Sequence, residues 1–112
     1  MTHAEEIKLV VSRATGVSVA EMIGPSRIAR VVQARHMAQA IIHQNLGHSH
    51  PQIGRCFGDR CHSTIHYALN VALPRWRRYI DGFSDMMDRI AKETVVTTGL
   101  TVKFKSTRGT QK

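Results

Sequence analysis

Three compact polar side chains in a row, His62, Ser63 and Thr64, stand between a glycine-containing turn and a stretch with helical apolar spacing. The chemistry open to them is hydrogen bonding at short reach. An imidazole and two hydroxyls both donate and accept, which suits reading base edges in a wide groove. The residues on either side explain how such a turn could be presented. Ile53 and Phe57 are four apart and share one helical face. Gly58 follows, where a helix commonly ends in a left-handed residue. A second helix is expected from Cys61 to about Leu73, with Ile65, Ala68, Leu69 and Ala72 facing inward. Two short helices around a tight turn, the second opening on polar residues, describe a helix-turn-helix.

Rival chemistries are weaker. Cys56, Cys61, His62 and His66 make a run of metal-ligand types. A zinc finger, however, needs about 12 residues between its cysteine and histidine pairs to turn the chain, and none intervene here. A hydrolase built on Cys61 or Ser63 with a neighbouring histidine lacks an orienting group and an oxyanion site. No glycine-rich loop of the GxxxxGK type occurs. Neither a metal, a nucleotide cofactor nor catalysis is expected. His36, His43, His48 and His50 read as surface or helix-end histidines.

At 112 residues the chain suffices for one domain with a modest core. Its net charge of +8 is uneven, since residues 51–112 carry 11 of the 16 Lys and Arg. Such an excess favours a polyanionic partner, most commonly nucleic acid. No apolar run approaches the ~20 residues of a spanning helix, and residues 1–6 lack a signal-peptide pattern, so a cytosolic protein with no membrane partner is expected. Two cysteines do not make a disulfide framework, and both should be reduced.

The elements that must position the turn follow from periodicity and caps. A first helix spans His3 to Ala14, with Ile7, Val10 and Val11 inward, and Gly16 ends it. Ser18 and Glu21 form a capping box for a short helix through Ile23. Ser26 is expected to cap a long third helix reaching Leu46 along the stripe Ile28, Val31, Val32, Arg35, Met37, Ala38, Ile41 and Ile42. Ser49 caps the next helix, with Pro51 in its first turn. Pro74 should end or restart the second helix of the motif. An amphipathic helix then carries Trp76, Tyr79, Ile80, Phe83, Met86, Met87 and Ile90, a face for the core or, less favoured, for a partner. Residues 94–112 are expected as a short strand or hairpin around Gly99 followed by a basic tail from Lys105 to Lys112.

The run Ile53-Gly54 to Phe57-Gly58, then Arg60, His62-Ser63-Thr64-Ile65 and Ala68, resembles the C-terminal DNA-binding domain of the bacterial replication initiator DnaA. Gly16-Val17-Ser18-Val19, Ile23-Gly24, the basic segment Arg27 to Arg30, Ala34 to Ala38 and His48 to Gly54 extend the resemblance over about residues 5–73. Two positions depart from the family's pattern. Asp59 stands where a second glycine is usual, and Cys61 where an aspartate is. The resemblance implies an all-α, Trp-repressor-like helix-turn-helix domain over residues 1–93 that binds double-stranded DNA in the bacterial cytoplasm, at the nucleoid, as a monomer or weak dimer. It carries no ATPase. Arg60, Cys61, His62, Ser63 and Thr64 become candidate major-groove readers, and Arg27 the minor-groove candidate. Arg30, Ser49, Gln52 and Arg55 are candidates for the sugar-phosphate backbone. The rival role is an interaction module that regulates replication by binding the initiator or its regulators.

Overall fold

Capping side chains decide where three of the helices begin. In each, a hydroxyl accepts from the backbone N–H three residues on, and a longer side chain there reaches back: Thr2 with Glu5, Ser18 with Glu21 and Ser49 with Gln52. The computed structural model describes residues 2–98. They form α1 (His3–Thr15), α2 (Val19–Ile23), α3 (Ala29–Leu46), α4 (His50–Cys56), α5 (His62–Tyr67), a π turn (Ala68–Ala72), α6 (Leu73–Tyr79) and α7 (Phe83–Thr98). The fold is all-α, and no strand occurs among the described residues.

The apolar stripes of α1, α3 and α7 meet. Ile7, Val10 and Val11 of α1, Met37, Ala38, Ile41 and Ile42 of α3, and Phe83, Met87, Ile90 and Ala91 of α7 are all buried in one cluster. Into it the motif sends Ile53, Phe57 and Ile65, all fully buried. Each such side chain contributes about 1.5–3 kcal/mol by leaving water. These contacts seat α4 and α5 on the long helix.

Three expectations are corrected and one, at Pro74, is narrowed. The long helix starts at Ala29, not at Ser26, whose hydroxyl accepts from the Ile28 N–H at 3.3 Å. Ile28 therefore lies outside the helical stripe and is 61% exposed. Of the two outcomes expected at Pro74, the restart is the one found: Pro74 stands in the first turn of α6, with the π turn just before it. An α-helical Pro74 would lack the N–H for the Asn70 carbonyl and press its ring against it. The wider turn, in which Leu73 N–H bonds to the Ala68 carbonyl, makes room, and α5, π turn and α6 form one rod from His62 to Tyr79. The amphipathic segment after Pro74 is two helices, since Ile80 is extended between α6 and α7. Finally, α7 runs to Thr98, so Val95 and Val96 are helical; the rest of the expected hairpin and the basic tail lie outside the described residues.

Trp76 is a core anchor rather than an open face. Its ring stacks on His36 at 5.1 Å between centroids and meets Phe83 edge-on at 5.8 Å. Burial first, then the charges of Arg35 and Arg60, push the His36 pKa down to about 4. The unfolded chain, with its histidine near 6.5, therefore binds the extra proton between about pH 4 and 6.5. Stability from this site is complete above pH 6.5 and is lost as pH falls through that window, by up to about 3 kcal/mol. Urea unfolding at pH 7.5 and 4.5 should show a loss of this order, and His36→Gln should flatten the profile. A wild-type slope no steeper than the variant's would place His36 in an ordinary solvated setting.

Candidate nucleic-acid interface

The turn between α4 and α5 is built by backbone. Gly54 comes so close to the chain beyond the turn that an added Cβ would lie 2.1 Å from the Arg60 carbonyl oxygen. Its own carbonyl accepts from the N–H groups of Phe57 at 3.1 Å and Arg60 at 2.9 Å. Gly58 is left-handed, φ 74°, and packs on the Ile23 carbonyl, 2.8 Å from where a Cβ would be. Asp59 is left-handed as well, φ 58°, a conformation glycine takes without strain. The departure from the family's second glycine is thus a strained position.

Three buried or half-buried cations hold this turn and the α2–α3 loop beside it, all by backbone carbonyls. Lys8 Nζ donates to the Cys56 carbonyl at 2.7 Å and sits 5.1 Å over the Phe57 ring. Arg60 donates from Nη1 to Ile23 O at 3.0 Å and to Phe57 O, and from Nη2 to Gly24 O at 2.6 Å. Arg35 donates from Nε to Met22 O at 2.7 Å and from Nη2 to Gly24 O at 3.1 Å and Ser26 O at 2.8 Å. Desolvation lowers the pKa of both arginines, and Arg60 lowers that of Arg35 further. Arg60, expected among the base readers, is thereby corrected: its guanidinium is engaged with the loop between α2 and α3. That bond ties the segment leading to Arg27 to the turn between α4 and α5.

His62, Ser63 and Thr64 form the exposed first turn of α5. Cys61 precedes them as N-cap, its side chain making no cap hydrogen bond. Its Sγ lies 3.1 Å from Ser63 Oγ, and hydrogen bonding from Ser63 draws the thiol pKa below its ordinary value. Arg27 and Arg55 are exposed. Arg30 pairs loosely with Glu21 at 3.7 Å, both side chains largely in water, so a phosphate could replace that carboxylate at little cost. Ser49 and Gln52 are exposed, but each is half engaged in its capping box. The Ser49 O–H and the Gln52 amide N–H groups remain as donors.

The family described as the bacterial dnaA protein helix-turn-helix matches residues 4–71. The chain belongs to that family. It is 40% identical over 63 residues to the chromosomal replication initiator protein DnaA of Mycoplasma capricolum subsp. capricolum, covering 56% of this chain and 14% of the relative. It is 38% identical over 64 residues to the proteins of that name from Acinetobacter baumannii and Acinetobacter baylyi, covering 57% of this chain and 14% of each. The chain thus spans about a seventh of the length of these relatives and matches their helix-turn-helix portion. The α7 helix lies beyond the matched residues yet completes the core.

Among the described residues no group of three or more His, Cys, Asp or Glu is placed to hold a metal ion. No helix described is long and apolar enough to cross a membrane. One feature escaped the sequence reading: His43, His50 and His66 bring their rings together beside the exposed turn. Only the i, i+4 spacing of His62 and His66 hinted at it.

Two substitutions separate scaffold from reader. Asp59→Gly should stabilise the domain by about 1 kcal/mol by relieving left-handed strain, raising its melting temperature by several degrees. Arg60→Ala should cost at least about 2 kcal/mol in urea unfolding, because charge-assisted bonds to part-buried carbonyls are lost. An Arg60→Ala protein of unchanged stability would return that guanidinium to the reading surface.

Proposed function

We propose that this chain binds double-stranded DNA site-specifically and acts in the control of replication initiation or transcription. The observation that carries the reading is the turn itself. His62, Ser63 and Thr64 are held outward on the second helix of the motif, while Ile65 one residue on is fully buried. Side chains so anchored can enter a major groove without rearrangement. Arg27, on the loop held by Arg35 and Arg60, is assigned to the adjacent minor groove. Arg30, Arg55, Ser49 and Gln52 are assigned to phosphates.

Cys61 bears on which sequence is read. An aspartate there would accept from a cytosine amino group; a thiol accepts poorly. We assign to this chain a site differing from the family's box at the base pair nearest residue 61. The relatives are named chromosomal replication initiators, which supports a role for this chain in the same process. No catalytic step is assigned to it. The protein-interaction reading is less supported, because the Trp76 to Ile90 surface it relied on is largely spent on the core.

Selection of bound duplexes from a random pool, followed by titration against random competitor, tests the proposal. Affinity for the selected duplex should fall with salt by a slope of about 0.9 per phosphate neutralised. Thr64→Ala should lose about 1–3 kcal/mol on that duplex and little on random DNA. Equal weakening on all sequences would make Thr64 a phosphate anchor, and binding indifferent to sequence would end the site-specific reading. Cys61→Asp should shift the selected sequence toward a cytosine partner at one position.

A further inference from the structure

Four imidazoles from three helices gather at the edge of the reading turn. His43 near the end of α3 lies 5.4 Å, centroid to centroid, from His50 at the start of α4. The His50 ring lies 5.5 Å from that of His66 on α5. His62, on the same helix, also acts electrostatically on His50. His43, His62 and His66 are exposed and His50 is half-buried, so the group opens on the surface that carries Ser49 and Thr64.

Hydrogen bonds and neighbouring rings fix how these imidazoles are presented. The His48 carbonyl accepts from His43 Nδ1 at 2.9 Å, leaving Nε2 free. Asn70 Nδ2 donates to His66 Nδ1 at 3.2 Å, a bond that needs that nitrogen unprotonated. The charges that act on His50 are those of His43, His66 and His62, every one of them an imidazole and none a carboxylate. Burial and these neighbours hold its pKa below the ordinary value. The two ion pairs among the described residues, Arg30 with Glu21 and Arg77 with Asp88, involve none of these rings. A second proton on His50 thus meets repulsion that no neighbouring carboxylate offsets. A phosphate backbone laid across the group would supply the missing anion and reverse that balance.

We propose that the His43, His50 and His66 cluster is a proton-dependent phosphate-contact surface, so that duplex binding takes up protons and strengthens as pH falls. The inference rests on the DNA-binding reading above and adds a residue set and a regulatory input to it. Linkage gives the sign. If the bound state holds more protons than the free state, log affinity falls with rising pH, by one unit per pH unit for each proton taken up. His36 stays neutral throughout the useful range, its pKa being pushed down to about 4, and does not confuse the readout.

The experiment measures affinity for the selected duplex between pH 6.0 and 8.0 at fixed ionic strength. For the wild type a fall on the order of tenfold across that range is expected, corresponding to an average uptake of about half a proton. The combined variant His43→Gln, His50→Gln, His66→Gln should show a much flatter profile. In case that variant folds poorly, calorimetry on the wild type at pH 6.5 in two buffers of different ionisation enthalpy counts the protons directly. Tight binding with no pH slope, or no proton uptake, would overturn this inference and leave the DNA reading standing. A slope unchanged in the triple variant would overturn it too. No duplex bound at any pH would overturn both.

Discussion

Cations bonded to backbone carbonyls hold this molecule's working parts in place. Lys8, Arg35 and Arg60 come from three different elements, and their partners are the carbonyls of Met22, Ile23, Gly24, Ser26, Cys56 and Phe57. Those carbonyls belong to helix ends and loops, where four acceptors per helix lack an intrahelical donor. A charged donor satisfies them more strongly than a neutral one. The Gly24 carbonyl accepts from both arginines, so one loop is gripped from the long helix and from the turn at once. Hydrophobic contacts seat the helices, but these bonds set the loop that leads to Arg27 against the turn that leads to His62.

That choice of partner has an electrostatic consequence. A guanidinium bound to a carboxylate is neutralised, whereas one bound to carbonyls keeps its full charge beneath the surface. Burial disfavours the charged state of both arginines, and Arg60 disfavours that of Arg35 further, yet neither loses its proton, because the pKa of a guanidinium lies too high for the shift to matter near neutrality. Arg27 and Arg55 are exposed as well. Cations left uncompensated by carboxylates favour a polyanionic partner. The rod from His62 to Tyr79 extends the basic character through Arg75 and Arg78, both exposed.

Much of this was legible in the sequence, and the limits are physical. The capping box at Ser18, the cap at Ser49, the inward pair Ile53 and Phe57, and the long third helix depend on residues three or four apart, and local spacing reveals them. Arg60 was misjudged because a long flexible side chain can reach a groove or a carbonyl equally well. Its loop partners, Ile23 and Gly24, are distant in sequence and adjacent only in the fold. The histidine group is illegible for the same reason, since α3, α4 and α5 must all be docked before its rings meet. Pro74 left two outcomes open for another reason. Its lack of an N–H forbids an α-helical bond but not a helix, and a wider turn placed ahead of it kept the rod continuous.

The two departures from the family pattern act on different levels. Asp59 changes conformational energy: it asks an L-residue to take the left-handed geometry of the turn, and asparagine and aspartate tolerate this better than most side chains. The path of the backbone is therefore kept, with Arg60 still delivered to its carbonyls. Cys61 changes surface chemistry: an acceptor is exchanged for a weakly bonding thiol at the N-cap, with no buried group affected. Fold and readout are separable here because Ile65, fully buried next to the exposed turn, fixes the helix regardless of what residues 61–64 carry. The scaffold of this family is thus kept while the surface chemistry at residue 61 changes, because that side chain is exposed and makes no cap bond.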